Sequence, residues 1–230
     1  MTALKWDQDT KHLFENGVDN GVLYIKKPDG SYDKGVAWDG LIKISESPEG
    51  AESTAKYANN KKYLNLRSEE RFKGQISAYT FPQEWNMCQG KRNPTAMVSG
   101  QSKALVGVTA SGQSRSDFGL SYRTGIGNET EGLDHGYTLH LVYSASAGVS
   151  GKEYQTVNET PDAIEFSWDF DTVPTPVAGM KPTAHIEINS TLVEKDKLAA
   201  LEKKLYGDEN GEPTLPKPEE IFSILGLAAG

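Results

Sequence analysis

The chain contains few of the features that mark a secreted or membrane-spanning protein. Its 230 residues include one cysteine, Cys88, so no disulfide can form within the chain. A lone cysteine is typical of a small buried hydrophobe in a reducing compartment. No apolar run approaches the ~20 residues that span a bilayer. The first residues, MTALKWDQDTKHLFENG, are charged throughout and lack the apolar centre of a signal peptide. We expect no membrane contact.

Motifs for catalysis and cofactor binding are also missing. There is no glycine-rich phosphate loop, no Cys-x-x-Cys and no His-x-x-x-His, and Gly125-Ile126-Gly127 has no helix pattern behind it. A metal site or general base built from His12, His135, His140 and His185 would require these histidines to converge in space. We expect surface or half-buried structural histidines instead, with no catalytic residue, no metal and no cofactor.

Charge and composition describe an acidic globular protein. The net charge is −8, and 37% of the residues are hydrophobic and 24% charged, which is ordinary for a globular chain. Its length allows one large β domain or two small ones. An acidic protein repels phosphate backbones unless a local basic patch overrides the sum.

Apolar and polar residues alternate with a period of two along most of the chain, which predicts β-strands. The clearest case is AIEFSWDFDT, where Ile164, Phe166, Trp168 and Phe170 share one face. Asp29-Gly30 predicts a hairpin turn between the first two strands. The predicted strands are 21–27, 34–40, 41–45, 71–81, 104–111, 118–125, 137–143, 163–172 and 183–190.

Two helices interrupt this pattern. Pro82 and Gly90 predict a short helix over 82–88. A helix at about 192–206 follows from the spacing of Leu198, Leu201 and Leu205, with a capping box at Thr191-Leu192-Val193-Glu194 and an end at Gly207. We therefore predict a mainly β domain over 1–207, in which two β-sheets pack as a sandwich or barrel-like fold, followed by a C-terminal extension over 208–230.

One segment is unusually polar. SPEGAESTAKYANNKKY (47–63) holds no Val, Ile, Leu, Phe, Trp or Met, and it predicts a long loop at about 46–63. A loop of ~17 residues in a compact domain is usually functional or disordered. From its residues alone, this one is equally well a mobile surface loop or a loop that docks on a neighbouring molecule.

Several segments together resemble one protein family. They are SPEGAESTAKYANNKKYLNL, ERFKGQISAYTFPQEWNMCQG, FGLSYRTGIGNETEGLDHGYTLHLVYSA and LPKPEEIFSILG. In this order, and over most of the chain, they resemble the major tail tube protein of long-tailed (siphovirus-type) bacteriophages. None of the segments is an active-site signature, so the resemblance depends on their occurring together.

The resemblance implies a structural virion protein that catalyses nothing. In that family two packed β-sheets lie beside a helix and a long interlocking loop, and six copies join through sheet edges into a ring. The rings stack into a tube that is assembled in the host cytoplasm around a tape-measure protein, with tail terminator and tail-tip proteins at its ends. DNA passes through the finished tail without being bound tightly.

The resemblance also suggests roles for three groups of residues. The polar segment would contact a neighbouring subunit through tyrosine anchors, amide hydrogen bonds and lysines: Lys56, Tyr57, Asn59, Asn60, Lys61 and Tyr63. Three carboxylates on one strand face are candidates for the lumen wall, whereas the default explanation is the solvated face of an amphipathic strand, which we favour strongly over a catalytic pair: Glu165, Asp169 and Asp171. The apolar C-terminal segment should dock on its own domain or on a neighbour: Ile221, Phe222, Ile224 and Leu225.

Three alternatives remain open at this stage. A contractile tail or a secretion-type injection machine has a tube protein with the same ring geometry. A carbohydrate-binding or adhesive β-sandwich would need an exposed aromatic platform, whereas we expect Trp38, Trp85 and Trp168 to pack in the domain. An enzyme on a jelly-roll scaffold would need carboxylates or histidines that converge.

Overall fold

A computed structural model of the chain describes residues 4, 6, 12–50, 53–68, 70–98, 101–156, 162–177, 179–209 and 211–227. The protein is mainly β, as predicted. Its strands are β1 (Leu13–Ile25), β2 (Val36–Ala37), β3 (Leu41–Glu46), β4 (Ser53–Ala58), β5 (Lys61–Arg67), β6 (Lys73–Ala78), β7 (Thr95–Val98), β8 (Gln101–Ala104), β9 (Phe118–Asn128), β10 (Gly132–Ala147), β11 (Phe166–Thr172) and β12 (His185–Asn189). Its helices are α1 (Trp85–Cys88), α2 (Lys195–Tyr206) and α3 (Pro218–Ile224).

Eight strands form one antiparallel sheet. Seven of them follow the order β2-β1-β9-β10-β11-β6-β3, and β12 pairs with β10 beside this path. Two strands therefore pair with successive parts of the same edge of β10: residues 138–142 pair with β12, and residues 145–147 pair with β11. The predicted hairpin is present, because Val22 on β1 pairs with Ala37 on β2.

The sheet curls so that two layers face each other. One layer is formed by β1, β9 and β10, and the other by β3, β6 and β11. Tyr122 Oη on β9 donates a hydrogen bond to Glu46 Oε1 on β3 at 2.6 Å, and the ring of Phe118 meets that of Phe170 edge-on at 6.3 Å. The sandwich or barrel-like architecture predicted from the sequence thus consists of two halves of one continuous sheet.

An aromatic cluster fills the space between the layers. Ring centroids of Trp38, Trp85 and Trp168 lie 4.7–5.9 Å apart, and Cys88 at the end of α1 is fully buried beside them. We call this cluster the inner core; it comprises Leu23, Ile25, Trp38, Phe72, Ile76, Ala78, Trp85, Cys88, Phe118, Leu120, Tyr122, Val142, Ala145, Ala147, Trp168, Phe170 and Ala184. Ile164 was predicted to share this face, but it lies before the first residue of β11 and is exposed.

A second cluster lies on the other face of β1, β9 and β10. There the helices α2 and α3 cover the sheet, and the predicted leucine stripe of α2 is buried. We call this cluster the outer core; it comprises Val22, Tyr24, Leu139, Leu141, Tyr143, Ile188, Leu198, Leu201, Leu205, Leu215 and Ile221. Two buried tyrosines tie the sheet to the C-terminal part of the chain, since Tyr24 Oη donates to the Leu205 carbonyl and Tyr143 Oη to the Pro216 carbonyl.

The predicted capping box of α2 is absent. The helix begins at Lys195, and the side chain of its N-cap residue, Glu194, makes no capping hydrogen bond. Thr191 is instead held at the end of β12, where its backbone N–H and its Oγ1 both donate to Asn189 Oδ1 at 2.9 and 2.7 Å. Thr191 therefore takes part in a local Asx turn with Asn189 and is not available to cap α2.

Two further sequence predictions were wrong. The segment 104–111 is not a strand: apart from Ala104, the last residue of β8, and an isolated bridge between Ala110 and Arg92, it is a loop, and Gly107 at φ +83° interrupts the extended backbone. The segment 47–63 is not a structureless loop, because most of it forms the hairpin of β4 and β5. The helix α3, which starts with Pro218 and carries Glu219 and Glu220 in its first turn, was not predicted.

Candidate functional site

The β4–β5 hairpin is built around a two-residue turn. Asn59 and Asn60 connect the strands, with φ values of 51° and 60°. Positive φ at both central residues is the type I′ geometry that matches the twist of a hairpin, and asparagine tolerates it better than most residues. The pairing shifts by one residue after the turn, between Tyr57↔Lys62 and Lys56↔Leu64, which leaves Tyr63 as the extra residue.

The hairpin is exposed on almost every side. Tyr57 is 72% exposed and Tyr63 is 74% exposed, and Leu64 and Leu66 also face solvent. Ala55 is the only half-buried side chain in the described part of the hairpin. None of these residues belongs to the inner or the outer core. A two-stranded hairpin without a covering layer is marginally stable in water, so this element presents aromatic and aliphatic surface without the burial that would stabilise it.

All six candidate contact residues of the sequence analysis lie on this hairpin. Their described side chains are exposed: Lys56, Tyr57, Asn59, Asn60, Lys61 and Tyr63. The structure therefore brings them together on one projecting element, in which the two asparagines supply the turn as well as free amide groups.

Two other exposed apolar regions were not found in the sequence. The loop after the β7–β8 hairpin exposes Leu105, Val106 and Val108. The ends of β1 and β10 that extend past the cores expose Phe14 and Leu133. The first region did carry a signal in the sequence, namely the apolar alternation that predicted a strand at 104–111. Because residues 105–109 of that segment pair with no neighbouring strand among the described residues, their apolar side chains stay exposed.

The three candidate lumen carboxylates lie at or near β11, on the side away from the inner core. Glu165 and Asp169 are exposed and Asp171 is half-buried. Gln75 Nε2 donates to Asp169 Oδ1 at 2.8 Å, and Lys73 Nζ lies 4.0 Å from Asp171 Oδ2. The face is therefore polar as well as acidic, and the lysine that approaches Asp171 pairs more closely with Glu49, at 2.7 Å.

The C-terminal segment docks on its own chain. Ile221 is fully buried in the outer core, and Phe222, Ile224 and Leu225 pack against it while partly exposed. Of the two docking sites that the sequence left open, the structure uses the one within the subunit.

The structure also gathers a group of titratable side chains that the sequence could not assemble. His140 on β10 lies opposite Tyr122 on β9 and opposite Glu187 on β12. His185 precedes Glu187 by two residues on the same strand face, and Glu46 reaches the group from β3 in the other layer. We call His140, His185, Glu46 and Glu187 the histidine cluster; one potential ligand atom from each lies within 4.8 Å of the others.

Burial controls the protonation of the two histidines. It lowers the pKa of His185 to about 4. It also lowers the pKa of His140, against the opposing effect of the Glu46 and Glu187 carboxylates. Both imidazoles are therefore uncharged at neutral pH. The other two histidines lie outside this group, His12 beside Glu129 at 3.1 Å and His135 beside Glu131 at 2.6 Å.

Two comparisons of the sequence with known proteins found no match. No protein-family model matches the chain, and no curated protein matches it in sequence. In the part of the chain that the structure describes, no helix is long and apolar enough to cross a membrane. The resemblance to tail tube proteins therefore stays a prediction, and the surfaces described above are the observations on which a function can be argued.

Proposed function

We propose that this chain is a structural protein that assembles into stacked hexameric rings, and that the rings form the tail tube of a long-tailed bacteriophage. The observation that carries the proposal is the exposed β4–β5 hairpin. The resemblance of four sequence segments to tail tube proteins supplies the kind of assembly. In this proposal the chain is not an enzyme, and its first partner is another copy of itself.

The hairpin supplies a contact that the monomer leaves unused. Tyr57, Tyr63 and Leu66 are exposed, and full burial of a large apolar side chain stabilises by about 1.5–3 kcal/mol. Tyrosine also combines a rigid apolar ring with a hydrogen-bonding hydroxyl, which suits it to protein interfaces. Docking of the hairpin on the next ring would bury this surface once in every subunit.

Strand edges supply the second kind of contact. Among the described strands, β12 pairs with β10 alone, and the first half of β1 pairs with β9 alone. Unpaired backbone groups on such edges can be satisfied by a strand of another chain. Pairing of edges around a ring would join the sheets of six subunits into a continuous wall.

The charge of the chain agrees with a conduit for DNA. A basic wall would bind phosphate groups and hold the duplex, whereas a net charge of −8 disfavours such contacts. In the proposed tail, the tape-measure protein occupies the lumen during assembly, and the terminator and tip proteins close the two ends. A contractile tail or an injection machine remains the nearest alternative, because it uses the same rings.

Electron microscopy and sedimentation of the purified chain test the proposal, with Tyr57→Ala/Tyr63→Ala as the variant. We expect rings or tubes from the unchanged chain and none from the variant. The variant should still fold, with a melting temperature within about 2–4 °C of the parent, because each exposed substitution costs about 0.5 kcal/mol or less.

The matched control is Tyr79→Ala/Tyr154→Ala, which removes two tyrosines that are also exposed but lie outside the hairpin. This control should still polymerise. A parent chain that stays monomeric at high concentration contradicts the proposal, and so do tubes of normal length from the hairpin variant. Glycan binding by monomers that is lost in the hairpin variant would favour the adhesive β-sandwich instead.

A further inference from the structure

The histidine cluster has the dimensions of a four-coordinate metal site. His140 Nδ1 lies 3.2 Å from His185 Nε2, 3.4 Å from Glu46 Oε1 and 3.9 Å from Glu187 Oε1. Ligands placed tetrahedrally at zinc bond lengths of about 2.0–2.1 Å are roughly 3.3 Å from one another. The cluster is therefore close to the required spacing.

The two imidazole rings need only a small adjustment to bind one ion. Their planes differ by 9° and their centroids are 5.3 Å apart. Since the facing nitrogen atoms are only 3.2 Å apart, the rings meet edge to edge through a hydrogen bond. An ion would replace that hydrogen bond, and a rotation about χ2, which is a soft torsion in histidine, would direct both nitrogen lone pairs toward the ion.

Neighbouring groups hold the potential ligands in place. Thr124 Oγ1 lies 3.0 Å from His140 Nε2, so it can accept a hydrogen bond from that nitrogen when Nδ1 binds a metal. Tyr122 Oη donates to Glu46 Oε1 at 2.6 Å and orients the carboxylate. The Tyr122 and Phe72 rings stack on His140 and His185 at 4.6 and 4.0 Å. Such outer contacts are typical of metal sites, where they fix the tautomer and orientation of each ligand.

We propose that His140, His185, Glu46 and Glu187 bind one divalent transition-metal ion, with Zn²⁺ the best match, and that the ion fastens the two layers of the curled sheet together. Two imidazoles with two carboxylates suit zinc better than Mg²⁺ or Ca²⁺, which prefer oxygen ligands alone. The two carboxylates balance the charge of the ion. Glu187, whose side chain is 58% exposed, gives the ion a route from solvent.

The site would act on stability independently of any assembly. Glu46 belongs to β3 in one layer, while His140 and His185 belong to β10 and β12 on the opposite side of the inner core. Metal bound only by the folded chain stabilises it in proportion to the logarithm of metal concentration. The alternative is a purely hydrogen-bonded polar group that binds no ion.

The test uses the full chain without an affinity tag, stripped with a chelator and returned to metal-free buffer at pH 7.5. We expect calorimetric titration with Zn²⁺ to give one site per chain. At a hundredfold excess of Zn²⁺ over its dissociation constant, the melting temperature should rise by about 5–10 °C. Mg²⁺ and Ca²⁺ at the same concentration should leave it unchanged. Co²⁺ should give the visible absorption of a tetrahedral site.

Three variants locate the site. Glu187→Gln changes an exposed ligand and should fold normally, and we expect it to weaken Zn²⁺ binding by about tenfold or more. His185→Gln should weaken it further. His135→Gln, in the separate His135–Glu131 pair, is the matched control and should bind as the parent does. Circular dichroism checks that each variant is folded.

Two results would overturn the proposal. One is a parent chain that neither binds Zn²⁺ nor gains thermal stability from it, which would leave the cluster as a hydrogen-bonded group. The other is Zn²⁺ binding that persists at full strength in Glu187→Gln and His185→Gln, or that is lost in His135→Gln, because the ion would then be bound elsewhere.

Discussion

The β6–β11 pair and the β4–β5 hairpin are alike in size and differ in surroundings. Each is an antiparallel pair of one six-residue and one seven-residue strand. In β11, Trp168 is 1% exposed, because the opposite layer of the curled sheet covers it. In the hairpin, the Tyr57 and Tyr63 rings are open to solvent, because no layer formed by the described residues lies over them.

The difference shows that strand pairing and burial are separate properties. Backbone hydrogen bonds are enough to define both strand pairs. Aromatic side chains stabilise the fold only where a facing layer removes them from water. Aromatic residues in the β6–β11 pair are explained by the fold of the subunit. Those in the hairpin are not, and a second molecule is the simplest cover for them.

The largest expected effect on the free energy of unfolding is in the buried β6–β11 pair. Trp168→Ala should lower the free energy of unfolding by about 3–5 kcal/mol, because it leaves a cavity among Trp38, Trp85 and Phe166. Tyr63→Ala serves as the exposed counterpart and should change it by about 0.5 kcal/mol or less. Urea unfolding of both variants measures the difference. Similar losses from the two substitutions would remove the distinction between the regions.

A smaller effect should appear inside the hairpin alone. Asn59→Ala/Asn60→Ala forces alanine into left-handed backbone, at a cost of roughly 1–2 kcal/mol per residue. We expect faster hydrogen exchange in β4 and β5, by about tenfold or more, with unchanged global unfolding. Asn59→Gly/Asn60→Gly is the control, because glycine accepts positive φ. An equal drop in global stability would mean that the hairpin unfolds together with the rest of the subunit.

The smallest effect on stability is expected at the polar face of β11. Combined Glu165→Lys, Asp169→Lys and Asp171→Lys should leave the fold intact, since the loss comprises a hydrogen bond from Gln75 to Asp169, a local one from the Thr172 backbone N–H to Asp171, and a long contact with Lys73.

If this face lines the lumen, particles should assemble but deliver DNA poorly, most clearly at low salt, where attraction to phosphate is least screened. The amide variants Glu165→Gln, Asp169→Asn and Asp171→Asn separate loss of negative charge from gain of positive charge. Delivery at the normal rate by the lysine variant at low salt would place these residues outside the lumen.

Local patterns explain which elements could be predicted. The alternation in β11 and the leucine stripe of α2 are repeated signals within one element, so neither depends on knowing the partner. The β4–β5 hairpin was not predicted because its strands contain few aliphatic residues. Its one strong signal was the Asn59-Asn60 turn. In α3 the helix-start signal of Pro218, Glu219 and Glu220 was present, but nearby prolines favoured a linker.

The histidine cluster depends on long-range pairing. His140 and Glu187 meet because β10 pairs with β12 in one register, and a shift by one residue would turn these side chains to opposite faces. Glu46 joins them only because the sheet curls. No local pattern contains that information, whereas the predicted strands 137–143 and 183–190 already included His140 and His185.

Cys88 can report how often the inner core opens. Its thiol, on the last residue of α1, is fully buried in the inner core, and burial raises its pKa. Because the thiolate is the reactive form, a thiol reagent in solution must wait until this part of the core opens. Since the chain has no other cysteine, the rate of labelling counts those openings directly. The labelling rate can be compared between free subunits and any assembly, and the difference would measure how far a neighbouring subunit slows the opening of the core.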